Sequence, residues 1–242
     1  MVTNRCSLEK KNQITMQIRD GLIAGFPIVI GYLPIAIAFG VLARQAGISL
    51  VELTGMSLLV FAGAAQFMAA GMIGIGVSAA EIIIATFVLN LRHFVMALSF
   101  VHQLQHIPLK WKGALSIGLT DETFSVSSIY KHKAEQSYCH LFYGTIIITS
   151  YGSWVFGSFL GGVLGDVVPE QLTQSMGIAL YAMFIGLLVP SVRKYKRIAI
   201  ICITAMLVNY LLNPLIGQGW GIVAGTILGA FVGIFVLEEE EI

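Results

Sequence analysis

Charge is what this 242-residue chain has least of: Asp, Glu, Lys and Arg make up 11% of it, against roughly 25% in soluble domains. With 57% hydrophobic residues, a soluble globule of this make-up would expose apolar area everywhere, so the aqueous globular classes are excluded. A net charge of +1, with the basic residues in short loops and not on one face, excludes a nucleic-acid partner. Cysteine is scarce as well. Cys6, Cys139 and Cys202 are odd in number, far apart and without CxxC spacing, so neither a disulfide framework nor a thiolate metal site is indicated. Residues 1–20 are too polar for the apolar core of a signal peptide, and the first apolar run is too long for one. The N-terminus is expected to stay attached, on the cytoplasmic side.

What the chain does have is long uncharged runs. A helix crossing the hydrocarbon core needs about 20 mostly apolar residues. Residues 21–43, 53–80, 136–165, 171–192 and 198–237 contain no Asp, Glu, Lys or Arg. The last run is long enough for two crossings, and Asn213-Pro214 followed by Gly217-Gln218-Gly219 supplies the break. Two further segments carry charge: 80–101 holds Arg92, and 113–130 holds Asp121 and Glu122.

Counting both predicts an all-α polytopic membrane protein of about eight transmembrane helices, some broken. The crossings fall near 21–43, 53–77, 80–101, 112–130, 138–164, 172–190, 197–213 and 218–237. Residues 1–20 then form a cytoplasmic N-terminal segment, 21–237 the transmembrane domain and 238–242 an acidic tail. With the N-terminus inside, ten Lys and Arg residues fall on the cytoplasmic side; Arg44, Lys110 and Lys112 fall outside. Trp111 and Trp220 are placed at outer interfaces.

A weak internal echo accompanies this pattern. Gly40-Val41-Leu42 and Gly162-Val163-Leu164, then Gly55 and Gly177, recur at an offset of 122 residues. Two repeats of four helices would explain it, and chance matches in a Gly- and Leu-rich chain are the alternative. The many glycines also allow helices to approach closely, which supplies packing energy in lipid.

An ionisable group near the bilayer centre costs roughly 2.5–3.5 kcal/mol on insertion scales, so each one demands a reason. In Asn90-Leu91-Arg92-His93, the spacing puts Asn90 and His93 on one helical face and turns Arg92 elsewhere. Arg92 needs an anionic partner, and Asp121 or Glu122 offers one. A buried ion pair holding two helices together is the bland reading; a carboxylate that loads and releases a proton is the functional one. Asp121, Ser125 and Ser128 lie on one stripe, expected to face a cavity.

A second cluster joins Gly31-Tyr32-Leu33-Pro34 to Phe61-Ala62-Gly63-Ala64-Ala65-Gln66. Pro27 and Pro34 interrupt helical hydrogen bonding, and a helix broken at membrane depth exposes backbone groups that can bind a zwitterion. A simple proline kink is the alternative. Asn209 and Asn213 read as packing contacts between helices. His102 and His106 share the i,i+4 spacing of some zinc sites but lack an acid motif, so no metal and no cofactor are expected.

GYLPIAIAFGVLA, FAGAAQF, NLRH and TDETF, in that order and spacing, resemble the AzlC family of branched-chain amino acid exporters. The likeness is densest over 21–124 and runs more loosely through RKYKR and the paired last helices. It implies a multi-pass protein of the bacterial inner membrane, both termini cytoplasmic. It also implies export of valine, leucine, isoleucine and, at the margin, methionine, driven by proton antiport beside a small AzlD-type membrane subunit. The substrate site is then expected at Tyr32, Pro34, Gln66, Asn90 and Arg92, with Asp121 and Glu122 carrying protons. The rivals are a carrier or channel for another zwitterion and an intramembrane enzyme using His102, His106 and Asp121, for which no nucleophile–base pair is present.

Overall fold

The computed structural model describes residues 2–104, 107–165, 167–168, 178, 182, 184–186 and 188–237, with side chains from residue 10 onward apart from Gln218. Its elements are α1 (Val2–Gln45), α2 (Leu50–Leu59), α3 (Gly63–Gly74), α4 (Ala79–Gln103), α5 (Leu109–Ile117) and α6 (Asp121–Ile129). A 3₁₀ turn (Lys131–Glu135) leads to α7 (Cys139–Leu164), and α8 (Ile198–Ile216) and α9 (Gln218–Val236) close the chain. Among the described residues there is no strand, and five helices (α1, α4, α7, α8 and α9) are long and apolar enough to cross a membrane. Much of the sixth expected crossing lies outside the described residues, as do Gly177, His106 and residues 238–242.

α1 and α7 form the spine. Gly21 lies against Phe142 and Thr145, Gly25 against Ile146 and Thr149, Gly157 against Leu33 and Ala36, and Gly165 against Arg44. Contact advances in the same direction along both helices, so they run parallel. A Cβ on Gly40 would sit 2.2 Å from the Ser158 carbonyl oxygen and 2.5 Å from the Gly162 nitrogen, a distance only glycine tolerates. Gly40 and Gly162, the pair that led the sequence echo, thus meet at this crossing. α1 continues through Pro27 and Pro34 without breaking. The expected interruption there is absent because each proline removes only one helical hydrogen bond, while contact with α7 is maintained from Gly21 to Arg44.

The second and fourth expected crossings turn back. α2 starts with Leu50 against Gly162, passes Tyr151, whose hydroxyl donates to the Leu58 carbonyl at 2.8 Å, and ends at a turn where Phe61 has φ 39°. α3 then returns to finish with a Gly74 Cβ position 3.2 Å from Ala46. Both ends of this pair therefore sit beside the C-terminus of α1. α1 and α3 stop in the same way, with Gly47 (φ 85°) and Gly76 (φ 74°) in the left-handed conformation and the next amide reaching back five residues.

α5 and α6 enter from the other end. Trp111 stacks on His140 at 4.7 Å, Gly118 meets Ile147 midway, and the Tyr143 hydroxyl donates to the Tyr130 carbonyl at 3.1 Å. The physical reason is length. Nine residues of helix rise about 14 Å, half of a roughly 30 Å hydrocarbon core, so two such limbs make one re-entrant hairpin.

This moves Lys110, Trp111 and Lys112 from the far end, where they were expected, to the end that holds Lys10, Asp20 and Lys133. α4 runs between the two ends. α8 and α9 form a close antiparallel pair, with Gly221 and Gly225 against Asn209 and Gly229 against Ala205, while Gly219 reaches Glu81 at the start of α4. Arg197 donates to the Val236 carbonyl at 3.4 Å, so the 193–197 basic cluster and the end of α9 lie together. Every Lys and Arg of the chain except Arg44 and Arg92 then belongs to one end of the bundle.

Candidate functional site

The two hairpin tips meet near the middle of the spine, and each begins its second limb there. α3 starts at Gly63 behind Ala62, whose side chain offers no cap, so among the described residues the first-turn amides of α3 lack a side-chain acceptor. The partial positive charge of a helix N-terminus is thereby left open. α6 starts at Asp121 behind Thr120, which caps it. The Thr120 hydroxyl accepts from the Thr123 amide at 3.3 Å, and the Thr120 amide donates back to Thr123 Oγ1 at 2.8 Å.

Around these tips stand the charged residues. Arg92 Nη1 lies 2.8 Å from Asp121 Oδ2, and both side chains are half-buried, at 31% and 29% exposure. Arg92 Nε has no hydrogen-bond partner among the described residues. His93 Nδ1 donates to the Leu119 carbonyl at 3.0 Å, which pins the α5–α6 tip to α4, and Nε2 has no partner among the described residues. Tyr32, buried on α1, donates to Glu122 and receives a 2.6 Å bond from Thr120 Oγ1. Trp154 meets the Tyr32 ring edge-on at 5.4 Å. These residues, with Phe61, Ala62, Gly63, Ala64 and Phe184, enclose a cavity of about 20 Å³, room for about one water.

Of the residues expected from sequence, Tyr32, Arg92, Asp121 and Glu122 are brought together here. Gln66 is fully buried just behind the tip: its Oε1 accepts from Trp154 Nε1 at 2.9 Å and its Nε2 donates to Ser57 Oγ at 2.9 Å, joining both limbs of the hairpin to α7. Pro34 is on the exposed face of α1, and Asn90 stays outside the cavity wall, its Oδ1 without a partner among the described residues. Arg92 reaches the centre although α4 is unbroken, because its long side chain carries the guanidinium to Asp121 from a different helical face. The buried polar stripe of α6 is Thr120, Thr123 and Ser127, while Ser125 is exposed and Ser128 pairs at 3.5 Å with Gln103. His93, Thr120 and Trp154 were not singled out as site residues; only the pairing of the tips, which no spacing encodes, assembles them. Among the described residues no group of three or more His, Cys, Asp or Glu could hold a metal ion.

Fold and site define a polytopic membrane protein with two re-entrant hairpins closing on a half-buried ion pair. The AzlC protein family profile matches residues 27–168, and the chain belongs to that family. An uncharacterized membrane protein of Archaeoglobus fulgidus is 35% identical over 214 residues, 87% of this chain and 91% of that one. Inner membrane protein YgaZ of Escherichia coli is 29% identical over 220 residues, 89% of each chain. The branched-chain amino acid transport protein AzlC of Bacillus subtilis is 27% identical over 191 residues, 78% of this chain and 74% of that one. No solved structure matches the chain significantly. The family is a transport-protein family.

Proposed function

We propose that this chain exports branched-chain amino acids from the cytoplasm by proton antiport, working with a small AzlD-type membrane subunit. The observation that carries the reading is the Arg92–Asp121 pair between two hairpin tips, one of which also presents an uncapped helix N-terminus. A zwitterion carries the complement of that pair. Its carboxylate turns to Arg92 and the α3 amides, and its ammonium to Asp121 or Glu122, so each charge exchanges one partner for another and none is left alone.

The closed centre admits about one water, so the tips part when substrate enters. Two hairpins that enter from opposite ends can do so one at a time, which is alternating access around a fixed site. Loss of the ammonium frees a carboxylate to take a proton for the return step, and Asp121 and Glu122 are the groups placed for it. The concentration of Lys and Arg at one end supports a cytoplasmic location for that end by the positive-inside tendency.

Cells loaded with a valine- or leucine-containing dipeptide test the reading. Efflux of labelled valine and leucine is followed with this chain alone, with the small subunit added, and with neither. Faster efflux that stops when the proton gradient is dissipated is the expected result. Efflux equal to the empty cells, with both chains verified in the membrane, removes these substrates. Downhill movement only, insensitive to the gradient, converts the antiporter into a passive channel.

A further inference from the structure

The charged centre has an apolar neighbour. Pro27, Ile28, Gly31 and Ile35 of α1, with Gly186, line a cavity of about 280 Å³ that also touches Tyr32 and Glu122. Those two residues wall the small polar centre as well, so the Tyr32–Glu122 hydrogen bond is the partition between the two spaces. An α-amino acid carries a carboxylate, an ammonium and a side chain on one carbon. Arg92, Glu122 and the apolar cavity follow one another in that same order, and Glu122 is the one charged group along the cavity wall among the described residues.

Gly31 keeps this space open. Among the described residues a Cβ built on it would meet nothing within 4 Å, so larger side chains grow into the void without displacing their backbone. The α1 glycines that face α7 are different: an added atom would lie 2.6 Å from the Phe142 carbonyl oxygen at Gly21, 3.2 Å from Thr149 Oγ1 at Gly25 and 2.2 Å from the Ser158 carbonyl oxygen at Gly40.

We propose that the cavity receives the aliphatic side chain of the substrate and that Gly31 sets its size limit, an assignment that rests on the export reading above. A methylene gained or lost in such a pocket changes discrimination by roughly 10- to 200-fold. The test compares efflux of alanine, valine, leucine, isoleucine and phenylalanine by the full chain with its small subunit.

Gly31→Leu should cut leucine and isoleucine efflux at least tenfold relative to alanine, and Ile35→Ala should raise phenylalanine relative to leucine. Leucine favours helix over glycine, so α1 tolerates the first change; if that variant still fails to reach the membrane, the enlarging variant decides alone. A uniform change along the series in both variants, or none, overturns the assignment and leaves the cavity to a lipid acyl chain. Failure of the unaltered chain to move any branched-chain amino acid is a separate result, since it removes the export reading itself and this assignment with it.

Discussion

The α2–α3 and α5–α6 hairpins share an outline, each turning at mid-bundle and starting its second limb at the polar centre, yet their tips differ in almost every chemical respect. The first tip, at residues 60–62, is apolar, its α3 N-terminus is uncapped, and its limbs are locked by buried Gln66, Ser57 and Trp154. The second, at residues 118–120, carries Asp121 and Glu122 at once behind it, is capped by Thr120, and is held through bonds to Arg92, His93 and Tyr32. The first offers fixed backbone dipoles from a rigid mount. The second offers ionisable groups whose partners can change. A carrier needs both kinds of group on opposite sides of the same space, since one must wait unchanged while the other alternates between states.

Breaking the charged side of that comparison should have the largest effect. Asp121→Asn leaves Arg92 without its carboxylate at mid-membrane, and gradient-driven efflux should fall roughly 100-fold or more while the chain still reaches the membrane. Full coupled efflux by this variant would sink the role of Asp121. On the apolar side, Gln66→Leu leaves the Trp154 Nε1 donor buried and unpaired, at about 1–3 kcal/mol. The detergent-solubilised variant should therefore melt about 2–10 °C lower, with apparent substrate affinity little changed. An unaltered melting point with lost affinity would instead put Gln66 in contact with the substrate. Ala62→Ser makes the first tip resemble the second. A serine cap on α3 should raise the melting point by a few degrees, worth about 1 kcal/mol, and weaken the apparent KM about fivefold because the hydroxyl competes for the amides. A KM that stays put would show that the α3 amides do not hold the carboxylate.

How far these features could be read beforehand differs between the two hairpins as well. Charge in an uncharged run is conspicuous, so Arg92 and its need for Asp121 or Glu122 were legible from 80–101 and 113–130 alone. Hydropathy has no sense of direction, however. A hairpin with limbs of ten and twelve apolar residues presents the same uncharged stretch as one complete crossing, and 53–77 was read that way. The same blindness put Lys110 and Lys112 at the wrong end. In FAGAAQF the small residues read as a packing surface, and they do let the tip approach Trp154, but the uncapped start of α3 becomes visible only once the turn at Phe61 is known. Gln66 looked like a free polar group because its partners, Ser57 and Trp154, lie 9 and 88 residues away.

The smallest expected effect concerns how the charged hairpin is tethered at the basic end. Lys133, in the turn after α6, lies 2.6 Å from Asp20 of α1, and Gln17 Nε2 donates to Gln136 Oε1 at 3.0 Å close by. Asp20 is 40% exposed, so water and salt screen the pair, and such pairs are worth about 0.2–1 kcal/mol. Asp20→Asn should accordingly shift the melting point by no more than about 2–4 °C, and most of the difference should vanish at 1 M salt, where the screening length is about 3 Å. The first hairpin has no ionic counterpart among the bonds that lock its tip, so the effect of Gln66→Leu should persist in high salt. A salt-insensitive loss in Asp20→Asn would mean that this tether is worth more than its exposure allows, and that the second hairpin is mounted as rigidly as the first.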